Sequence, residues 1–359
     1  METIHKSGFG DFIIGRDDLI LVTGATGFIG SRLVEHLLDR GFRNLRCFGR
    51  PFGKMSKLQA LAERGRGGAR VELVRGNLLS GENCVAATKD AAVIFHLAAG
   101  TGEKSFPDAY MNSVVTTRNL LEASLRHGCL RRIVSASSFA VYTNRDNPRR
   151  GLLDEACPTE THSGQRDAYT FAKVKQDELV RDYGKRFGIP HVIVRPGYVY
   201  GPGKKAITGR IGIDSFGLFL HLGGSNSIPV TYVDNCAEAI ALAGLVKGVD
   251  GEVFNIVDDD LPSSRQFLRQ YKKNVKKFNS IYLPHAVSYS LCYLWERYSK
   301  WSEGQLPPVF SRGSWYTFWK KTNYSNKKLK ERLNWTPRIS TEEGMSRYFE
   351  ACRIEGSDA

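Results

Sequence analysis

Six short runs of this chain are almost continuously apolar: Leu19–Val22, Leu45–Phe48, Val71–Val74, Val93–Leu97, Arg132–Ser135 and His191–Val194. Between them lie longer amphipathic stretches, among them Gly30–Arg40, Ala109–His127 and Ala168–Phe187. Unbroken apolar runs of this length suit strands covered on both faces. Strands that alternate with helices predict right-handed βαβ units and a parallel sheet. The pattern changes after Gly201, where Pro202, Gly203, Gly209, Gly212, Gly217, Gly223 and Gly224 mark a loop-rich region. Val230–Val246 and Glu252–Val257 read as βα-like pieces that return to the sheet. The expected organisation is an N-terminal extension (1–17), an α/β unit (18–200), a second lobe (201–350, with about 230–257 rejoining the sheet) and a tail (351–359).

Composition narrows the class. The chain has 359 residues, 42% apolar and 25% charged, as an ordinary globular protein has. No stretch of about eighteen uncharged apolar residues occurs, so no membrane span is expected. The first residues, "METIHKSGFGDFIIGRDD", lack the apolar core of a secretory signal. Seven scattered cysteines without a CxxC pair fit reduced thiols and a cytoplasmic location. No metal is expected, because no HExxH or HxH spacing occurs.

Charge is distributed unevenly. Residues 261–338 hold 16 Lys and Arg against three Asp and Glu, so this window carries nearly all of the net charge of +14. It also holds 16 aromatic residues. Basic residues with Trp and Tyr suit an anionic membrane surface. The plainer reading is a lobe with an aromatic core and solvated lysines. Nucleic-acid binding is not expected, since charge is its sole support.

The first candidate chemistry is "LVTGATGFIG" (21–30). Glycines at positions 24, 27 and 30 follow an apolar run and open a helical stretch. Such a turn lets backbone approach a pyrophosphate, and the helix N-terminus offers free N–H groups to it. Dinucleotide folds place an acid about twenty residues on, to accept the ribose 2′-hydroxyl. Here the second strand ends "LRCFGRP", with Arg46 and Arg50 and no acid. Arginine suits a 2′-phosphate, so NADP is preferred over NAD.

The second candidate is "YTFAK", Tyr169 to Lys173. Residues four apart share a helix face, and an ammonium beside a phenol favours phenolate. The spacing alone is common, since YxxxK also starts at Tyr200, Tyr316 and Tyr324. Only Tyr169 opens an amphipathic helix after the fifth strand. A third piece, "IVSASSFAVY", exposes Ser135, Ser137 and Ser138 at the carboxyl edge of a strand, where open parallel sheets bind ligands.

These pieces occur in one order with "FHLAA" (95–99), "MNSVVTTRNLLEA" (111–123), "RPGYVYGPG" (195–203), "YVDNCAEAI" (232–240), "GEVFNIVDD" (251–259) and "NWTPRISTEEGM" (334–345). As a set, over roughly residues 18–350, they resemble the extended short-chain dehydrogenase/reductases, the NAD-dependent epimerase/dehydratase family. The resemblance implies an α/β fold, a Rossmann-like doubly wound parallel sheet with a smaller C-terminal substrate lobe. It implies Ser138, Tyr169 and Lys173 as the catalytic triad, Ser138 because it stands four before Tyr142. It implies a cofactor site from Gly24, Thr26, Gly27, Phe28, Ile29 and Gly30, with Arg50, Asn77, Leu78, Leu97, Ala98, Ala99, Asn112 and Pro196, together with Tyr169 and Lys173. Asn77 replaces the more usual Asp beside the adenine. A homodimer through sheet-flanking helices is also implied.

Departures from the family pattern narrow the branch. Phe139 and Ala140 follow Ser138 where sugar dehydratases carry Asp-Glu, which argues against a dehydratase. Ile228 stands where nucleotide-sugar members place a diphosphate-gripping arginine. "VTYVDNCAEA" is more similar to the hydroxysteroid dehydrogenase and flavonoid reductase branch. The expected activity is therefore hydride transfer between NADP and a secondary alcohol or ketone of a small, lipid- or sterol-like substrate. The alternatives are a nucleotide-sugar 4-epimerase and a non-catalytic NAD(P)-binding protein.

Overall fold

The computed structural model describes residues 11–50, 56–63, 68–100, 105–145, 151–204, 207–215, 217–302 and 311–357. Seven parallel strands form the central sheet: β1 (Leu19–Thr23), β2 (Asn44–Gly49), β3 (Arg70–Arg75), β4 (Ala91–His96), β5 (Arg132–Ala136), β6 (His191–Pro196) and β7 (Val253–Ile256). Their order is β7-β6-β5-β4-β1-β2-β3, so the winding reverses beside β1. Every residue of the central strands β1 and β4 is buried, which explains their unbroken apolar runs. The edge strand β3 is only partly covered and accommodates Glu72 in its middle.

Helices cover both faces. Ile20 and Val22 of β1 join the cluster formed with α1 (Phe28–Asp39) and, later in the chain, α7 (Val233–Leu245). Leu19 and Leu21 point the other way, into a cluster with α5 (Thr116–His127) and α6 (Ala168–Phe187). The period of two along one strand thus feeds two separate cores. On the same side α3 (Gly81–Thr88) packs against α5, whereas α2 (Ser56–Glu63), beside β3, adds Leu58 and Leu61 to the cluster of α1.

The stretch expected as one helix over Ala109–His127 is three pieces. A short α4 (Phe106–Tyr110) runs into a π-helical turn, Met111–Val115, before α5 begins. The Thr116 and Thr117 hydroxyls bond the carbonyls of Asn112 and Ser113, and the Ser113 hydroxyl accepts from Gly100 N–H at 3.2 Å. Side chains that compete for backbone groups loosen the helical ladder here.

Beyond residue 201 the chain contributes α7 and β7 to the sheet and builds a lobe. The lobe has a three-stranded sheet (Gly212–Ser215, Leu218–His221, Ser280–Tyr282) with α8 (Ser264–Asn274), α9 (His285–Trp301) and α10 (Arg312–Phe318). Two final helices, α11 (Lys327–Leu333) and α12 (Thr341–Ser357), return to the main core, where Trp335, Tyr348 and Phe349 are buried. Asn235 ties this return down: its side-chain oxygen accepts from the backbone of Arg338 and Ile339 at 3.1 and 3.0 Å. At the other end, Phe12 is buried against Phe42, and Ile13 N–H bonds the Leu245 carbonyl at 2.8 Å.

Candidate active site

The glycine turn after β1 has two kinds of glycine. A Cβ on Gly24, whose φ is +70°, would lie 2.8 Å from Ala98 N; one on Gly30 would lie 2.2 Å from the Gly24 carbonyl oxygen. Both positions are closed by the protein's own backbone. Gly27 is different: it caps α1, is exposed, and a Cβ there would meet only the Gly24 oxygen, at 3.1 Å. Its bareness leaves open space in front of the α1 N-terminus, whose first turn carries no acid. A pyrophosphate fits such a cradle. Thr26, Phe28 and Ile29 line the same turn, half-buried.

The other candidate positions share this edge, because all seven strands run the same way. Leu97, Ala98 and Ala99 follow β4, Ser138 follows β5, and Pro196 ends β6. Asn77 and Leu78 follow β3. Asn77 is exposed, and its amide oxygen accepts from Leu79 N–H at 3.0 Å, which leaves one lone pair. Asn112 is exposed in the π turn. Arg50 stands exposed one residue past β2. Arg46 serves elsewhere: it pairs with Glu72 across the β2–β3 register at 2.8 Å and donates to the carbonyls of Ala87 and Lys89. An exposed cation not singled out in the sequence is Lys204, whose ammonium lies 5.8 Å from the Phe28 ring.

The Ser138 hydroxyl stands close enough to the Tyr169 phenol to favour its ionised form. Asp167 caps α6, accepting from Thr170 N–H at 2.9 Å, and so fixes Tyr169 in the helix's first turn. Lys173, one turn on, is buried and donates to the Ala136 carbonyl at 2.6 Å and to Gln176 Oε1 at 2.9 Å. Burial pulls its pKa down to about 8, against the attraction of Asp177. The expectation that Lys173 lowers the Tyr169 pKa is not met in this arrangement. Burial holds the phenol above its ordinary value, the nearby Ser138 hydroxyl opposes this, and the charges of Asp167 and Asp177 reinforce it. The ammonium is turned toward β5 and Gln176 instead.

Two buried networks escaped the sequence reading. Gln176 donates to Thr117 Oγ1, which also meets His96 Nε2, while His96 Nδ1 meets Thr23 Oγ1, all at 2.8–2.9 Å. Side chains from β1, β4, α5 and α6 thereby connect the glycine turn to Lys173. Burial pushes His96 down to about 3, so it is neutral. In the second network Arg195 pairs with Asp177 at 2.8 Å and lies 4.6 Å from the Tyr142 ring centre, and Tyr142 donates to Asn255 at 2.7 Å. Asp177 stands four residues after Lys173, and that spacing was a legible sign of a shared face. Among the described residues no group of three or more His, Cys, Asp or Glu is placed to hold a metal.

Comparison with known proteins agrees with the fold. The model of the NAD dependent epimerase/dehydratase family matches residues 20–256. The chain is 26% identical over 343 residues to 2-alkyl-3-oxoalkanoate reductase of Stenotrophomonas maltophilia, covering 91% of this chain and 97% of that one. It is 25% identical over 360 residues to 3beta-hydroxysteroid-dehydrogenase/decarboxylase isoform 1 of Arabidopsis thaliana, covering 92% and 79%. A trifunctional UDP-glucose 4,6-dehydratase/epimerase/reductase of the same plant is 30% identical over 260 residues, 66% of this chain but 36% of that protein. In fold, the chain is similar to UDP-glucuronic acid 4-epimerase from Bacillus cereus, solved with UDP-glucuronic acid and NAD, at a TM-score of 0.71, 23% identity and 94% and 99% coverage.

Proposed function

The chain belongs to the NAD dependent epimerase/dehydratase family, and from that premise we propose that it transfers a hydride between NADP and a secondary alcohol or ketone carbon of a small, lipid- or sterol-like substrate. The observation that carries this reading is the juxtaposition of Ser138, just past β5, with Tyr169 at the start of α6, on a helix that also carries Lys173. In the proposal the turn Gly24–Gly30 holds the pyrophosphate. Asn77 and Leu78 lie at the adenine, Leu97–Ala99, Asn112 and Pro196 line the nicotinamide half, and Lys173 steadies its ribose. When bound, the nicotinamide supplies or accepts the hydride. Ser138 orients the substrate oxygen, and Tyr169 gives or takes its proton. Residues 18–200 hold the cofactor, and the lobe within 201–350 selects the substrate.

Three finer points belong to the same reading. NADP is favoured because Arg50 stands at the end of β2 where an acid would select NAD. A homodimer is favoured by exposed Phe106, Tyr110, Met111, Leu125 and Phe187 on and beside α4–α6, and a cytoplasmic location by free cysteines, Cys47, Cys84 and Cys236 among them. Peripheral membrane contact is assigned to the basic, aromatic region 261–338. Ile228, the residue at the diphosphate-gripping position, is buried in the main core, so that position offers a sugar nucleotide no charge.

Mass spectrometry of an extract from the denatured protein tests the choice. NADP without a sugar nucleotide is expected, and added NADPH is consumed when a suitable ketone is present. Tightly retained NAD, a UDP-sugar in the extract and no net cofactor consumption would replace this reading with a 4-epimerase. A protein that binds NAD(P)H but turns over neither class of substrate would be a binding protein only.

A further inference from the structure

Helix α9 is packed inside out. Its buried residues are Ser288, Cys292 and Ser299. Its exposed residues include Val287, Leu291, Leu294, Tyr298 and Trp301, spaced four, three, four and three apart. Leu294 is 59% exposed and Trp301 77%. This spacing draws one straight apolar seam about 21 Å long on the outside of the helix. An ordinary surface helix buries such a seam. Single exposed apolar residues are common, but a continuous stripe marks a surface with a partner. Ile281 and Tyr282, on the strand that leads into α9, are exposed as well.

The charge around the seam identifies the partner. Exposed Lys273, Lys276 and Lys277 lie just before that strand, and exposed Arg297 and Lys300 lie on α9. Glu296, the acid of α9, is engaged by Arg312 at 2.8 Å. A second copy of the chain would bring the same excess of positive charge to the seam and be repelled. An anionic lipid surface attracts it, at about 1 kcal/mol for each Lys or Arg near the surface. Among the described residues no helix is long and apolar enough to cross a membrane, so the helix would lie in the interface plane. Leu291 also lines an apolar cavity of about 180 Å³ beneath the helix, with Leu220, Leu222, Leu283, Cys292 and Trp295. The seam therefore backs onto apolar space inside the lobe.

We propose that the outer face of α9, with Ile281 and Tyr282, is the surface by which this protein docks on an anionic bilayer. The inference rests on the proposed membrane contact and not on the hydride chemistry. It is tested by co-sedimenting the full chain with phosphatidylcholine vesicles and with vesicles in which about a third of the lipid is phosphatidylserine. Binding is expected to the second only, and to weaken as salt rises. The double variant Leu294→Gln/Trp301→Ser should lower the partition coefficient about tenfold or more, with melting temperature and NADPH binding unchanged. Undiminished binding of the variant would reject this face and leave the membrane contact to other residues. No binding by the wild type would reject both. Dimerisation in analytical ultracentrifugation that the variant abolishes would make the seam a self-association surface and overturn the proposal. None of these outcomes bears on hydride transfer.

Discussion

The sheet edge and the C-terminal lobe solve opposite problems. At the edge, polar side chains are drawn inward and wired together, as in the chain from Thr23 through His96, Thr117 and Gln176 to Lys173. In the lobe, apolar side chains are pushed outward along α9 while serines and a cysteine go inside. Both break the rule that apolar residues go in and polar ones out, and rule-breaking of this kind gathers where proteins meet ligands or partners. The difference lies in what completes each arrangement. The edge needs a small molecule held by fixed groups, whereas the seam needs an extended surface.

The sharpest way to break the comparison is to remove the phenol that the edge network surrounds. Tyr169→Phe keeps the ring and loses the proton. Turnover should fall about 10²–10⁴-fold, measured as NADPH oxidation with whichever ketone supports it, while NADPH binding by fluorescence persists. Turnover within threefold of wild type would remove Tyr169 from the chemistry.

Sequence and structure part company along the same divide. The central strands β1 and β4 were legible because a strand buried on both faces leaves few polar positions to confuse the pattern, and the partly covered edge strand β3 was legible despite Glu72 in its middle. Ala168–Phe187 was legible because Asp167 caps it and Gly188 closes it in the left-handed region. The fate of Arg46 was not, because its partner Glu72 is set by the β2–β3 register rather than by spacing along the chain. The orientation of α9 was not either. A heptad-like seam reads the same in sequence whether it faces a core or water, and only the packing of Ser288 and Cys292 decides which. The Ser138, Tyr169 and Lys173 cluster could be assembled from motif order, but the direction in which the Lys173 ammonium points depends on Ala136 and Gln176.

The glycine turn separates fold from ligand within a single decapeptide. Gly30→Ala drives a Cβ into the Gly24 carbonyl and should cost about 1–3 kcal/mol of stability. Gly27→Ala should cost less than about 1 kcal/mol yet weaken NADPH binding about tenfold or more, because its Cβ points into the cradle. Urea unfolding and cofactor titration of the two variants measure both quantities. Equal loss of stability in both would mean that Gly27, too, is there for packing.

The joint between sheet and lobe has its own signature. Asp258, just past β7, is buried and accepts from Tyr232 N–H at 2.8 Å and from Asn235 at 3.1 Å. Burial raises its pKa from 3.8 to about 7, and these hydrogen bonds only partly oppose the shift. The folded state thus keeps a proton that the unfolded chain releases. Its contribution to stability is full below pH 3.8 and is lost as pH rises through about 7. Asp258→Asn should flatten that part of the melting-temperature profile between pH 4 and 7. A variant profile parallel to wild type would show that Asp258 does not titrate in this range.

The smallest expected effect concerns the group that distinguishes the two cofactors. Arg50 stands exposed past β2, so any contact with a 2′-phosphate is made largely in water and is screened by salt. An exposed charge pair is worth little, and a forked guanidinium–phosphate pair somewhat more. Arg50→Gln should therefore weaken NADPH about tenfold, roughly 1.4 kcal/mol, and leave NADH unchanged, by isothermal titration at low salt. The gap between the cofactors should narrow as salt is raised in wild type but not in the variant. Equal weakening of both cofactors would mean that Arg50 supports the loop rather than reads the phosphate, and Lys204 beside Phe28 would then be the cation to replace.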